Sequence, residues 1–172
     1  MLQHRANCQS DRIYALKTGK ILFQSEALFE TIKASSNEMQ GLVNIDKKTF
    51  AFKVRMASFI GFNSKLQNEH FNENYVETVK FPEAGFNGKI IEDIDFTEDG
   101  TYIVRAKGNL SIHGVPQERI IKCEVVIKNK KISVKSIFSI LLTDYNIPIP
   151  KVVKDKLNGE ITVQVFCLLE AH

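Results

Sequence analysis

The stretch TYIVRAKGNLSI (Thr101–Ile112), with the turn His113-Gly114-Val115-Pro116 and the run RIIKCEVVIK (Arg119–Lys128) that follow it, decides the fold. In the first run Tyr102, Val104, Ala106, Gly108 and Leu110 alternate with Arg105 and Lys107. In the second, Ile121, Cys123, Val125 and Ile127 alternate with Lys122 and Glu124. Side chains along a strand point to opposite faces with a period of two, so each run reads as a strand with one greasy and one wet face. A turn this short makes the two strands antiparallel neighbours.

The same pattern spreads in both directions. TFAFKVRMASF sets Phe50, Phe52, Val54 and Met56 against Lys53 and Arg55. KISVKSIFSILL alternates through Ile132, Val134, Ser136, Phe138, Ile140 and Leu142, and EITVQVFCLLE through Ile161, Val163, Val165, Cys167 and Leu169. The links EDG and KNKK carry turn chemistry. Nearer the N-terminus, GKILFQSEA and Glu30–Ser35 read as strands on context, although ALFETIKA has comparable helical character. Successive long strands joined by hairpins predict an all-β, antiparallel sandwich or barrel, with closure into a barrel of about eight strands favoured because it removes exposed edges. SKLQNEHFNENYVE lacks alternation and is expected to form a short helix ending before Phe81-Pro82 and lying across the barrel. DYNIPIPKVVKDKL, with two prolines, is a second candidate lid.

The 172 residues, 44% of them hydrophobic, suit one domain: an irregular tail over residues 1–18 and a single barrel over 19–172. The net charge of +3 comes from scattered Lys and Arg, which speaks against a nucleic-acid partner. The aromatic inventory of 12 Phe and 4 Tyr with no Trp suits a greasy interior. No stretch reaches the roughly 18 apolar residues of a membrane span, so no stable membrane insertion is expected. MLQHRANCQSDR lacks the apolar run of a secretory signal, which leaves a cytoplasmic protein and a mature exported one both open.

Catalytic and metal motifs are weak. His4, His70, His113 and His172 are far apart, and Cys8, Cys123 and Cys167 are odd in number without a CxxC pair, so neither a metal site, a disulfide framework nor a cofactor is indicated. Ser111, His113 and Asp144 lack the nucleophile elbow of a triad enzyme, and no glycine-rich phosphate motif is present. His113 is expected to pin its turn by donating to a neighbouring backbone carbonyl. His70 lies beside Glu69, but adjacent helical residues diverge. Periodicity does not distinguish a filled core from a hollow one. If the barrel is hollow, Phe50, Phe52, Val54, Met56, Val104, Ala106, Phe138 and Ile140 line it, and Asn74, Tyr75, Asp144 and Tyr145 stand near its mouth.

In this order the segments resemble the YceI-like family of lipocalin-like barrels. Gly108-Asn109-Leu110-Ser111-Ile112-His113-Gly114-Val115 is similar to the family's G-x-L-[ST]-I-x-G-V hairpin, and a tract with Phe81-Pro82 and Phe86 precedes it. Leu66–Tyr75, with His70 and Asn74-Tyr75-Val76, resembles the family's helical segment, and Asp144-Tyr145-Asn146-Ile147 its late strand ending. The resemblance covers roughly residues 20–170 and implies a non-enzymatic barrel that binds a polyisoprenoid or related lipid, in a periplasmic or otherwise exported setting. A homodimer is left open. Many relatives carry Arg-Asp before the helical His, where this chain has Gln67-Asn68-Glu69, so a neutral or different headgroup is implied. The competing readings are an enzyme on a hydrophobic substrate with His70 or His113 as base, and a filled-core interaction module.

Overall fold

The computed structural model describes residues 10–172. Strands β1 (Ile13–Glu26), β2 (Thr31–Ser36), β3 (Met39–Asn44), β4 (Thr49–Arg55), β5 (Glu83–Ile90), β6 (Gly100–Ile112), β7 (Val115–Lys128), β8 (Lys131–Leu141) and β9 (Glu160–Ala171) form one antiparallel sheet. The sheet closes because β1 pairs with β9 on one side, from Tyr14↔Ala171 to Ser25↔Ile161, and with β2 and β3 on the other. β2 takes the half of β1 from Ile21 to Glu26 and β3 takes Ile13 to Ala15, so the two act as one bent stave of an eight-stranded barrel. Closure removes the exposed edges that an open sheet would carry.

Local chemistry explains the corners. Both central residues of the β6–β7 turn, His113 and Gly114, have positive φ (53° and 70°), as do Asn129 (50°) and Lys130 (61°) between β7 and β8. That backbone is the one whose twist matches two-residue hairpins. The helix α1 (Lys65–His70) starts at Ser64, whose side chain accepts a hydrogen bond from Gln67 N at 3.1 Å, while Gln67 Oε1 accepts from Asn63 N at 3.1 Å. It runs on into a π-helical turn, Phe71–Tyr75.

Three features depart from the sequence reading. Residues 13–18, expected in an irregular tail, form the first part of β1, because β9 continues to Ala171 and pairs with it; a register shift between Leu16 and Thr18 accommodates Lys17. His4 and Cys8 lie outside the described residues. β3 and β5 were not anticipated, since MQGLVN and EAGFNGKI carry glycines that weaken the strand signal. In β5 the glycine is a packing requirement. Gly88 faces Gly108 of β6, and a Cβ on Gly88 would fall 2.0 Å from Lys107 O, one on Gly108 2.1 Å from Asn87 O.

Candidate functional site

The barrel is filled at one end and hollow above it. The loop between β5 and β6 folds Phe96 into the barrel, where it packs with Tyr14, Ile45, Ile127 and Ile132, all at most 7% exposed. These residues form a floor. Above it lies a cavity of about 600 Å³, within the roughly 300–1,000 Å³ of small-molecule pockets.

The walls are the inward faces that alternation predicts. Phe50, Phe52 and Val54 of β4, Met56 of the 3₁₀ turn after it, Val104 and Ala106 of β6, and Phe138 and Ile140 of β8 all line the cavity. Phe50 packs on Phe86 with ring centroids 4.9 Å apart and on Phe52 at 6.2 Å. Of the residues expected at the mouth, only Tyr75 lines the space, and burial pushes its phenol up, keeping it neutral. Asn74 sits on the outer, exposed side of the π-helical turn. The 3₁₀ turn Leu142–Tyr145 divides the remaining pair. It turns Asp144 to solvent and packs Tyr145 beside the cavity, against Leu110, Ile140, Ile147 and Ile161 at 0% exposure. Asp144 contributes its carbonyl to Gln117 Nε2 at 2.7 Å.

Sequence reasoning missed the aromatic roof. Phe23 of β1, Phe59 and Phe62 before α1, and Phe71 after it converge, with Phe23–Phe71 centroids 5.4 Å apart, Phe23–Phe59 5.3 Å and Phe62–Phe71 5.0 Å. The spacing of Phe59 and Phe62 just before the helix was the available signal. The mouth beside this roof is lined by Glu30, Leu66, Gln67, His70, Val153, Lys156 and Leu157.

The serine hydroxyls of the wall, Ser25 and Ser136, offer a ligand little, because the protein already uses them. Ser25 Oγ donates to Asn158 O at 3.3 Å and accepts from Asn158 N at 2.9 Å, and Ser136 Oγ donates to Lys122 O at 2.8 Å. Burial pushes the Cys123 thiol up and that of Cys167 to about 12, so both are neutral and unreactive. His113 lies away from the cavity. Its Nδ1 meets Tyr145 O at 3.0 Å, its Nε2 meets Glu77 Oε2 at 2.6 Å, and Phe81 packs edge-on with centroids 4.5 Å apart. The imidazole thus pins its hairpin, but to a carbonyl 32 residues away in sequence rather than to one neighbouring the turn.

A closed antiparallel barrel with a solid floor, a greasy hollow and a partly covered mouth has lipocalin-like architecture. The chain belongs to the YceI-like domain family, whose sequence pattern matches residues 15–166. No curated protein gives a significant match. Among solved structures, a polyisoprenoid-binding domain from Saccharophagus degradans, implicated in plant cell wall breakdown, superposes with a TM-score of 0.78 at 15% identity, over 92% of this chain and 98% of its own. BcnA of Burkholderia cenocepacia follows with a TM-score of 0.73 at 14% identity, over 87% and 95%. The YCEI protein of Campylobacter jejuni gives 0.58 at 15% identity, over 100% and 90%. At these identities the likeness speaks to the fold.

Proposed function

We propose that this protein binds and carries a lipid-like molecule, a polyisoprenoid or another long apolar chain, inside the barrel, and that it performs no chemistry on it. One observation carries the reading: the hollow of about 600 Å³ is apolar, and the wall hydroxyls of Ser25 and Ser136 are satisfied by the protein itself. Such a space gives water few partners, whereas every methylene buried in it contributes roughly 0.8 kcal/mol. The tail then runs along Phe50, Phe138 and Ile140 towards the floor, with its head end beneath the aromatic roof. Both nitrogens of His113 are engaged outside the cavity, and His70 lies exposed at the mouth, which supports carriage over catalysis. Family membership and the likeness to the polyisoprenoid-binding domain of Saccharophagus degradans favour an isoprenoid tail and an exported setting.

Organic extraction of the purified protein followed by mass spectrometry should release a long-chain lipid, and geranylgeraniol should bind the delipidated protein. Empty protein that ignores geranylgeraniol sinks the reading.

A further inference from the structure

Three segments rim the mouth: the loop from residues 27 to 30, the helix α1, and the proline-containing stretch from 148 to 157. They are tied together. Phe29 N donates to Asp155 O at 3.1 Å, and the Glu30 carboxylate accepts from Asn63 Nδ2 at 3.1 Å and from Gln67 Nε2. From this rim Leu28, Phe29, Leu66 and Val152 project with 79%, 74%, 59% and 90% of their surface exposed. Large apolar side chains at loop tips are expensive to leave in water, and here they stand around the mouth that the proposed cargo would use.

Charge accompanies them. Lys151, Lys154 and Lys156 are exposed and form no ion pair among the described residues. Lys65 pairs with Glu69 at 3.7 Å. Of the rim's other carboxylates, Glu30 is held by Asn63 and Gln67, Glu26 by Gln24, and Asp155 is exposed within the lysine stretch. The floor end differs. Its turn tips, Asp46-Lys47-Lys48 and Asn129-Lys130, are polar, and its loop from residues 91 to 99 carries Glu92, Asp93, Asp95, Glu98 and Asp99. The rim is therefore greasy, and its stretch from 151 to 156 is locally basic, three lysines to one Asp155, whereas the floor end mixes acids with paired cations, Lys48 with Asp93 and Arg105 with Glu92.

We propose that the rim docks on an anionic phospholipid bilayer, with Leu28, Phe29 and Val152 entering the interface and Lys151, Lys154 and Lys156 at headgroup level. Apolar side chains interspersed with lysines are the composition by which peripheral proteins lie on such a surface. The purpose of docking rests on the proposed lipid cargo, since a chain leaving the cavity would enter the bilayer without crossing water; the docking itself does not require a loaded barrel.

The test is co-sedimentation of the full chain with vesicles of phosphatidylcholine containing phosphatidylglycerol, against pure phosphatidylcholine. The variants Leu28→Ser/Phe29→Ser/Val152→Ser and Lys151→Gln/Lys154→Gln touch none of the cavity wall, and geranylgeraniol binding without vesicles checks the cargo reading separately. Expected are at least tenfold tighter binding to the anionic vesicles, weakened by salt, and a loss on the order of 25-fold in the lysine variant, at about fivefold per lysine. The serine variant should lose at least tenfold, while both variants keep geranylgeraniol binding. Wild-type protein that stays in the supernatant, or variants that sediment like wild type, would overturn the proposal. So would a concentration-dependent dimer, abolished by the serine changes, in protein that ignores vesicles, for the rim would then be an interface between two copies.

Discussion

Ala106→Leu offers a quantitative test of the hollow barrel. Ala106 is 7% exposed, faces the cavity from β6 and packs against the floor cluster, so three added carbons occupy the deep end of the hollow. A methylene takes about the room of a water molecule, ~30 Å³, so a space of 600 Å³ accepts a chain on the order of 20 carbons. In wild-type protein each added methylene should tighten binding by about 0.8 kcal/mol, or roughly fourfold, until the hollow is full. In the variant the last three methylenes of a full-length ligand have no room, which costs about 2.4 kcal/mol, or roughly 60-fold. Short chains that leave the floor empty should lose nothing. The assay is displacement of a fluorescent fatty acid by n-alkanols of increasing length, with near-ultraviolet circular dichroism to show an intact fold. An equal loss at every chain length, or none at the longest, would refute a tail running down to the floor.

Other expectations are simpler. His113→Asn keeps a residue tolerant of the left-handed backbone but removes the bridge between Tyr145 O and Glu77, so it should cost about 2 kcal/mol. Urea unfolding should show a midpoint lowered by about 1 M at unchanged slope, and a change under about 0.2 M would show the bridge to be idle. Gly108→Ala places a Cβ 2.1 Å from Asn87 O and should destabilise by several times the effect of Ala106→Gly; equal effects would mean β5 and β6 can part freely. In a Cys8→Ser background, Cys123 and Cys167 should resist maleimide at pH 8 until the protein is denatured, since both thiols remain protonated. For Cys167 the native state holds its proton more tightly than the unfolded chain does. That contribution to stability is present below about pH 9, is lost as pH rises towards about 12, and is measured by urea unfolding at alkaline pH.

Much of the site was legible because barrel walls repeat a local rule. Phe50, Phe52, Val54, Val104, Ala106, Phe138 and Ile140 face inward because each lies an even number of residues from its inward neighbours on the same strand. Prediction failed where the chain leaves that rule. The prolines after Asn146 marked a break, but they did not reveal that a 3₁₀ turn would bury Tyr145 and expose Asp144. Phe23, Phe59, Phe62 and Phe71 belong to separate segments, and only the placement of α1 over the barrel brings their rings together.

Local alternation laid out seven of the nine strands and which of their faces is greasy, and it favoured a closed antiparallel barrel, because alternation is a property of neighbouring residues. Tertiary structure decided whether that barrel is solid or hollow. The volume left inside depends on side chains contributed from all round the ring, on Phe96 plugging one end, and on Ser25 and Ser136 finding backbone partners. Each of these is a distance across the molecule, and such distances are set only when the sheet closes.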